Sequence, residues 1–289
     1  MPSSPLEDGN GAAQTDRVDT KENSSPLQDR TSLPEPFSRI RTSTFLAGST
    51  AEGPWSPKVC HGGGPSALIA QVAEAVPAAA EMCVARVTVD LMRPVPTGEL
   101  DVEARVLREG KKLQLVDVKV SAAGVVVTRG SVLRLRREDQ DLGQVLPQLN
   151  FPSADKGAPT RPPTGVGFSQ LFEMRAAAGS FEALGPAAIW FNMTRPLIAG
   201  ESTSPCARSV ACADFANGIA SVLPFSSWSY PSTDLTVSFI REPVGAEILV
   251  DAECWAGGQG RGITHARLGD ALGWFGRSMQ TAIFERRHS

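Results

Sequence analysis

One carboxylate, Asp214, stands in the middle of 207-ARSVACADFANGIASVL-223, a run of small and apolar residues. A charge beside Val210, Ala213 and Phe215 needs hydrogen-bond donors around it, because burying it unpaired is costly. Two readings fit. Ionised, it is a general base able to take a proton from water; as a structural group, it bonds a neighbouring strand. Cys212, two residues earlier, has no His or Lys neighbour in sequence to favour a thiolate, so it reads as a packed small residue. A second stretch, His61-Gly62-Gly63-Gly64, precedes an apolar segment. If a helix starts there, its unpaired N–H groups and dipole favour negative charge, and glycine lets backbone come close to a ligand. Glycine runs also mark ordinary loops, and His61 reads as a loop or helix-start residue rather than a catalyst.

Composition bounds what these residues can serve. The chain has 289 residues and is 42% hydrophobic, enough for a substantial core in one large domain or two modest ones. A net charge of −3, with both signs interspersed, provides no basic field for a nucleic-acid backbone, so no nucleic acid is expected as a partner. Cys60, Cys83, Cys206, Cys212 and Cys254 form no Cys-x-x-Cys pair, and His61, His265 and His288 are scattered, so no metal site is expected. No basic start followed by an apolar h-region, and no apolar run of membrane-spanning length, is present. A cytoplasmic protein with free thiols and no membrane association is the expectation.

The elements that must position Asp214 occur twice. Residues 1–34 are nearly free of aliphatic and aromatic side chains and read as a disordered tail. A polar, proline-marked stretch at 139–167 reads as a linker, with a docked segment around Val145 to Phe151, between units at 35–138 and 168–289. The stretch 87-VTVDLMRPVPTGELDVEARVLREGKKLQ-114 parallels 235-LTVSFIREPVGAEILVDAECWAGGQGRGIT-264, and 124-GVVVTRGSVLRLRR-137 parallels 273-GWFGRSMQTAIFERR-287. Each unit holds opening strands, a Gly/Pro-rich loop, an apolar helix and alternating strands. The helices are expected at Pro65–Val76 and about Ala207–Val222. A helix apolar on nearly all sides needs a sheet wrapped around it, which makes the fold class α+β.

This order resembles the hotdog fold, and two in one chain resemble the double-hotdog acyl-CoA thioesterases of the thioesterase II type. The matching residues are 62-GGG-64 at the first helix, Arg93-Pro94 after 87-VTVDLM-92, 107-LREGKKLQ-114, Asp214, 232-STDLTVSF-239 and Gln280. The resemblance implies a tandem hotdog, two antiparallel sheets each wrapped around a central helix. It also implies hydrolysis of acyl-CoA by an activated water with no cofactor, and a carboxylate, a hydroxyl and an amide turned toward that water at Asp214, Ser232 and Gln280. Strand alternation groups Ser232, Asp234 and Thr236 on one face; with a slipped register, Thr233 or Thr236 would be the hydroxyl. Gly62, Gly63, Gly64, Phe215, Thr236 and Phe239 are assigned to substrate binding, with Ile219 and Trp228 beside the acyl chain. The first unit, where an offset of 149 puts Ser131 opposite Gln280 and the helix carries Gln71 and Glu74, reads as a partner with a degenerate site. Pattern departures remain, since family members often carry histidines in the strand before Arg-Pro and this chain has 237-VSFIREP-243. A non-catalytic acyl-CoA or lipid-binding protein is the alternative. A hydratase would need a His a few residues from Asp214, which 214-DFANGIAS-221 does not contain. Exposed sheet edges would allow a homo-oligomer.

Overall fold

Alternating apolar and polar residues build long antiparallel strands in both halves, with apolar positions turned onto the helices. The structure is a computed structural model describing residues 33–140, 142, 146–165 and 167–287. The expected tail lies outside the described residues except for its last two positions, and so does Val145 of the linker. In chain order the first repeat comprises Phe37–Arg41 (β1), Thr44–Ala47 (β2), Gly63–Glu74 (α1), Met82–Asp90 (β3), Gly98–Glu109 (β4), Leu113–Ala122 (β5) and Val125–Arg136 (β6). After a short Ala158–Pro159 (β7) come Phe172–Ala178 (β8), Ala187–Met193 (β9), Pro205–Ala213 (α2), Ala216–Ile219 (α3) and the short Trp228–Ser229 (β10). The chain ends with Asp234–Phe239 (β11), Glu247–Gly257 (β12), Arg261–Asp270 (β13), Gly273–Ile283 (β14) and Glu285–Arg286 (β15).

Strand order across the main sheet is β1-β2-β4-β5-β6-β3-β11-β14-β13-β12-β9-β8-β7. Reading outward from the β3–β11 seam, each half repeats the other, so the duplication seen in sequence is a pseudo-twofold arrangement. Val87 pairs with Val237 at the seam, which fuses the two expected sheets edge to edge. Helix α1 packs against β3 to β6, α2 and α3 pack against β12 and β13, and α1 lies on α2. Residues Gly63 to Ala70 of α1 are all buried, as are Val210 to Ala213 of α2.

The halves are also locked by polar contacts. Ser204, the N-cap of α2, accepts from Ala207 N–H (3.0 Å), and its hydroxyl donates to Glu74 Oε2 on α1. Gln71 Oε1 accepts from the Ser204 N–H (2.9 Å), while Gln71 Nε2 donates to Ser202 O (3.0 Å). Burial raises the Glu74 carboxyl above its usual range, against the opposing pull of Ser204 and of the Arg134 charge. Gln71 and Glu74 therefore brace the second helix.

Strand pairing corrects the offset that placed Ser131 opposite Gln280. At the seam Val87 pairs with Val132 of β6, and Val237 pairs with Ser278 of β14. Two residues further along each strand stand Arg134 and Gln280, so Arg134 is the true counterpart. The offset along the last strands differs because the arms of the β5–β6 hairpin are longer, Gln114 meeting Arg134 farther from the turn at Ala123-Gly124 than Thr264 meets Gln280 from the turn at Ala271-Leu272. Arg134 is 7% exposed and fills its half's site, donating to Gln114 Oε1 (2.6 Å) and to Val76 O beyond the end of α1 (2.7 Å).

The linker docks as a short apolar clamp: Leu149 and Phe151 pack near Trp190 and Trp274, and Trp190 Nε1 donates to Pro152 O (2.8 Å). Both sheet edges are blunted. Phe37 of β1 exchanges backbone hydrogen bonds with Leu197 and Ala199, and the two-residue β7 carries Pro159. Among the described residues, no helix is long and apolar enough to cross a membrane.

Candidate active site

The continuous helix expected over Ala207–Val222 is broken at Asp214. Asp, Asn and Gly all favour leaving a helix, and 214-DFANG-218 concentrates them. The Phe215 N–H bonds Cys212 O, three residues back, so the chain tightens there before α3 begins. The break puts Asp214 at the C-terminal end of α2, facing the start of α1 and strand β14. Gly62 and Gly63 permit this approach. A Cβ on Gly62 would stand 2.9 Å from Asp214 Oδ2, and one on Gly63 would stand 2.9 Å from Ala211 O. The positive N-terminal end of α1 thus lies against the carboxylate.

Around Asp214 the side chains form one connected network. Gln280 Nε2 donates to Asp214 Oδ1 (2.7 Å) and to Ser232 Oγ (3.1 Å). Asn217 Nδ2 donates to Ser232 Oγ (3.2 Å) and to Tyr230 O (3.2 Å), and Asn217 Oδ1 accepts from Thr264 Oγ1 (2.5 Å). With both lone pairs of Ser232 Oγ engaged, its proton is left to donate elsewhere. On the other side, His61 Nδ1 lies 3.0 Å from Asp214 Oδ2. The Asp214 side chain is 4% exposed.

Asp214, Ser232, Asn217, His61 and Gly62 line a cavity of about 510 Å³. Trp55, Phe181, Phe215, Phe225 and Tyr230 supply its aromatic wall, with Pro162 to Thr164 of the linker at one side. Cys60 also lines it, but burial, with the Glu52 charge, pushes its thiol up to about 12, so it is no nucleophile at neutral pH. Among the described residues no cluster of His, Cys, Asp or Glu is placed to hold a metal ion.

Three of the expected site residues, Asp214, Ser232 and Gln280, come together; several of the substrate-binding assignments do not. Thr236 faces away from the helices, its hydroxyl 3.4 Å from that of Thr88 on the neighbouring strand. The reason is a one-residue slip. Ser232 sits opposite Ala282 and Thr236 opposite Met279, so four steps on one strand match three on the other and the alternation resets between them. Phe239 points inward but at the far end of β11, stacked on Phe275 (6.2 Å) and away from the cavity. Of the three glycines only Gly62 lines the cavity; Gly63 abuts α2, and Gly64 packs under Phe37 and Phe168. Ile219 belongs to the closed core, Trp228 lies beside the core rather than in the cavity wall, and Phe215 lines the cavity.

His61, Asn217 and Thr264 were not singled out as parts of the site. Asn217 was legible as a helix-breaking polar residue three positions after Asp214. Thr264 and Gln280 are cross-strand partners, which only the register of β13 and β14 reveals. His61 comes from the first repeat, and no spacing within one repeat connects it to Asp214.

Comparison with known proteins bears on the family and the fold. The family model for the acyl-CoA thioesterase N-terminal domain matches residues 51–135, and the model for the C-terminal domain matches residues 147–284. Among solved structures, a hot dog fold protein of Alicyclobacillus acidocaldarius is similar at a TM-score of 0.72 and 16% identity, covering 87% of this chain and 96% of that one. An acyl-CoA thioesterase II of Mycobacterium marinum is similar at 0.62 and 14%, with 87% and 96% covered. At such identities these structures establish the fold, a double hotdog. No curated protein sequence matches the chain. The two family models follow one another in the order of the two repeats and together span most of the chain, so the chain belongs to the acyl-CoA thioesterase family and is a thioester hydrolase.

Proposed function

We propose that the second repeat hydrolyses acyl-CoA to free acid and coenzyme A by direct attack of a water activated by Asp214. The observation that carries this reading is Gln280 Nε2 joining Asp214 Oδ1 and Ser232 Oγ, two groups that both face the cavity. The water gives one proton to Asp214 and accepts a hydrogen bond from Ser232, which aims its remaining lone pair at the thioester carbon. Attack forms the C–O bond and moves the carbonyl π electrons onto oxygen. Collapse of that oxyanion breaks the C–S bond and releases the thiolate of coenzyme A. Gln280 Oε1 is buried without a protein partner among the described residues, which supports a bound water nearby. The Gly62 N–H, at the cavity wall beside the start of α1, suits the oxyanion.

The acyl group occupies the aromatic cavity, and the first repeat, its own site filled by Arg134, serves as the structural partner. Five free cysteines support a reducing, cytoplasmic setting. A panel of acyl-CoAs assayed for thiol release tests the reading: steady turnover supports it, and binding without release would favour a lipid-binding protein instead. The His61–Asp214 contact keeps hydration of an enoyl thioester in view. Loss of the enoyl absorbance without thiol release would mark that reaction. Gln280→Ala removes the amide holding base and hydroxyl together, and kcat is expected to fall about 10²-fold with KM little changed. Stopped assays on the folded variant check this.

A further inference from the structure

We infer that His61, a residue of the first repeat, is a positioning residue for the catalytic carboxylate of the second, carrying its proton on Nδ1 and donating it to Asp214 Oδ2. This rests on the hydrolytic reading of the site. Two contacts compete for one nitrogen. Asp214 Oδ2 lies 3.0 Å from His61 Nδ1, and the Gly63 N–H points at the same nitrogen from 3.1 Å. A single ring nitrogen donates or accepts, never both. Without a proton, Nδ1 would set its lone pair against the lone pairs of a buried carboxylate. With one, it makes a charge-assisted bond, roughly twice as strong as the neutral bond from Gly63 that it gives up. The carboxylate contact therefore decides the tautomer.

Surrounding rings make the donor rigid. The imidazole is stacked on Phe215 at 4.5 Å and on Phe168 at 5.3 Å, with interplanar angles of 30° and 24°. Phe215 directly follows Asp214, so the ring clamp and the carboxylate sit on one segment. Asp214 is then held at both oxygens, Oδ1 by Gln280 and Oδ2 by His61, which leaves one fixed direction from which a water can be deprotonated. The active site of the second half is thereby completed by the first, which gives the duplicated chain a use for a repeat whose own site is closed.

The test pairs two substitutions with one spectrum. His61→Phe keeps the stacked ring and loses the donor, while His61→Asn places an amide N–H where Nδ1 stands. For a substrate that the wild type turns over, His61→Phe is expected to lower kcat about 30-fold with KM within about twofold, and His61→Asn to recover to within about fivefold of wild type. In ¹⁵N spectra of histidine-labelled wild-type enzyme, the signals lost in His61→Phe should belong to a ring protonated at Nδ1. Full activity in folded His61→Phe overturns the inference, as does His61→Asn no better than His61→Phe, or an unprotonated Nδ1. If the wild type hydrolyses no acyl-CoA, the hydrolytic reading fails alone, and the spectrum still decides where the proton lies.

Discussion

Asp214→Asn is expected to lower kcat for thiol release by about 10³-fold, within the range assigned to loss of a general base. The substitution is nearly isosteric, and Asn can still present an oxygen to Gln280 Nε2, so the fold and the cavity should persist. What disappears is a group able to accept a proton from water. KM should change little, since the carboxylate acts on the water and not on the acyl chain. A thiol-release assay on the variant, alongside a thermal melt matching the wild type, checks both halves of this statement. Activity within tenfold of wild type would move the base elsewhere.

The second large effect is on stability and lies in the other repeat. Arg134→Ala is expected to cost about 3 kcal/mol, because it leaves Gln114 Oε1 and Val76 O without their donor in a buried site. It also removes the positive charge that offsets burial of Glu74. For a chain of this size the melting temperature should fall by about 6 to 12 °C. Turnover per folded molecule should be preserved, because Arg134 touches no residue of the Asp214 network. A calorimetric scan together with kcat measured well below the melt reads the two effects separately. If instead kcat fell with stability unchanged, the first repeat's site would be more than a plugged relic.

These two residues mark how far the sequence could be read. The fold was legible because alternation along strands such as Glu99–Val106 survives any local error, and because the duplication states the pattern twice. Asp214 was legible as a charge in an apolar run, and Gln280 and Ser232 through the family likeness alone. What failed depended on quantities that only packing sets. The offset of 149 misses the counterpart of Gln280 because the arms of the β5–β6 hairpin are longer than those of β13–β14, and the alternation misplaces Thr236 because a one-residue slip reverses every later face. Phe239 had the right face and the wrong end of its strand. The break at Asp214 was written in 214-DFANG-218, yet the surrounding small apolar residues argued for an unbroken helix. His61 could not be linked to Asp214 at all, since their contact joins two repeats about 150 positions apart in the chain.

The central claim is that Asp214 and Gln280 act on one water as a unit. A double-mutant cycle in kcat over wild type, Asp214→Asn, Gln280→Ala and the double variant tests it most directly. With no base left to orient, loss of Gln280 should cost nearly nothing more, so the account predicts a double variant about as slow as Asp214→Asn alone. A double variant slower by the full product of the two single losses would contradict it, placing the amide and the carboxylate in separate tasks.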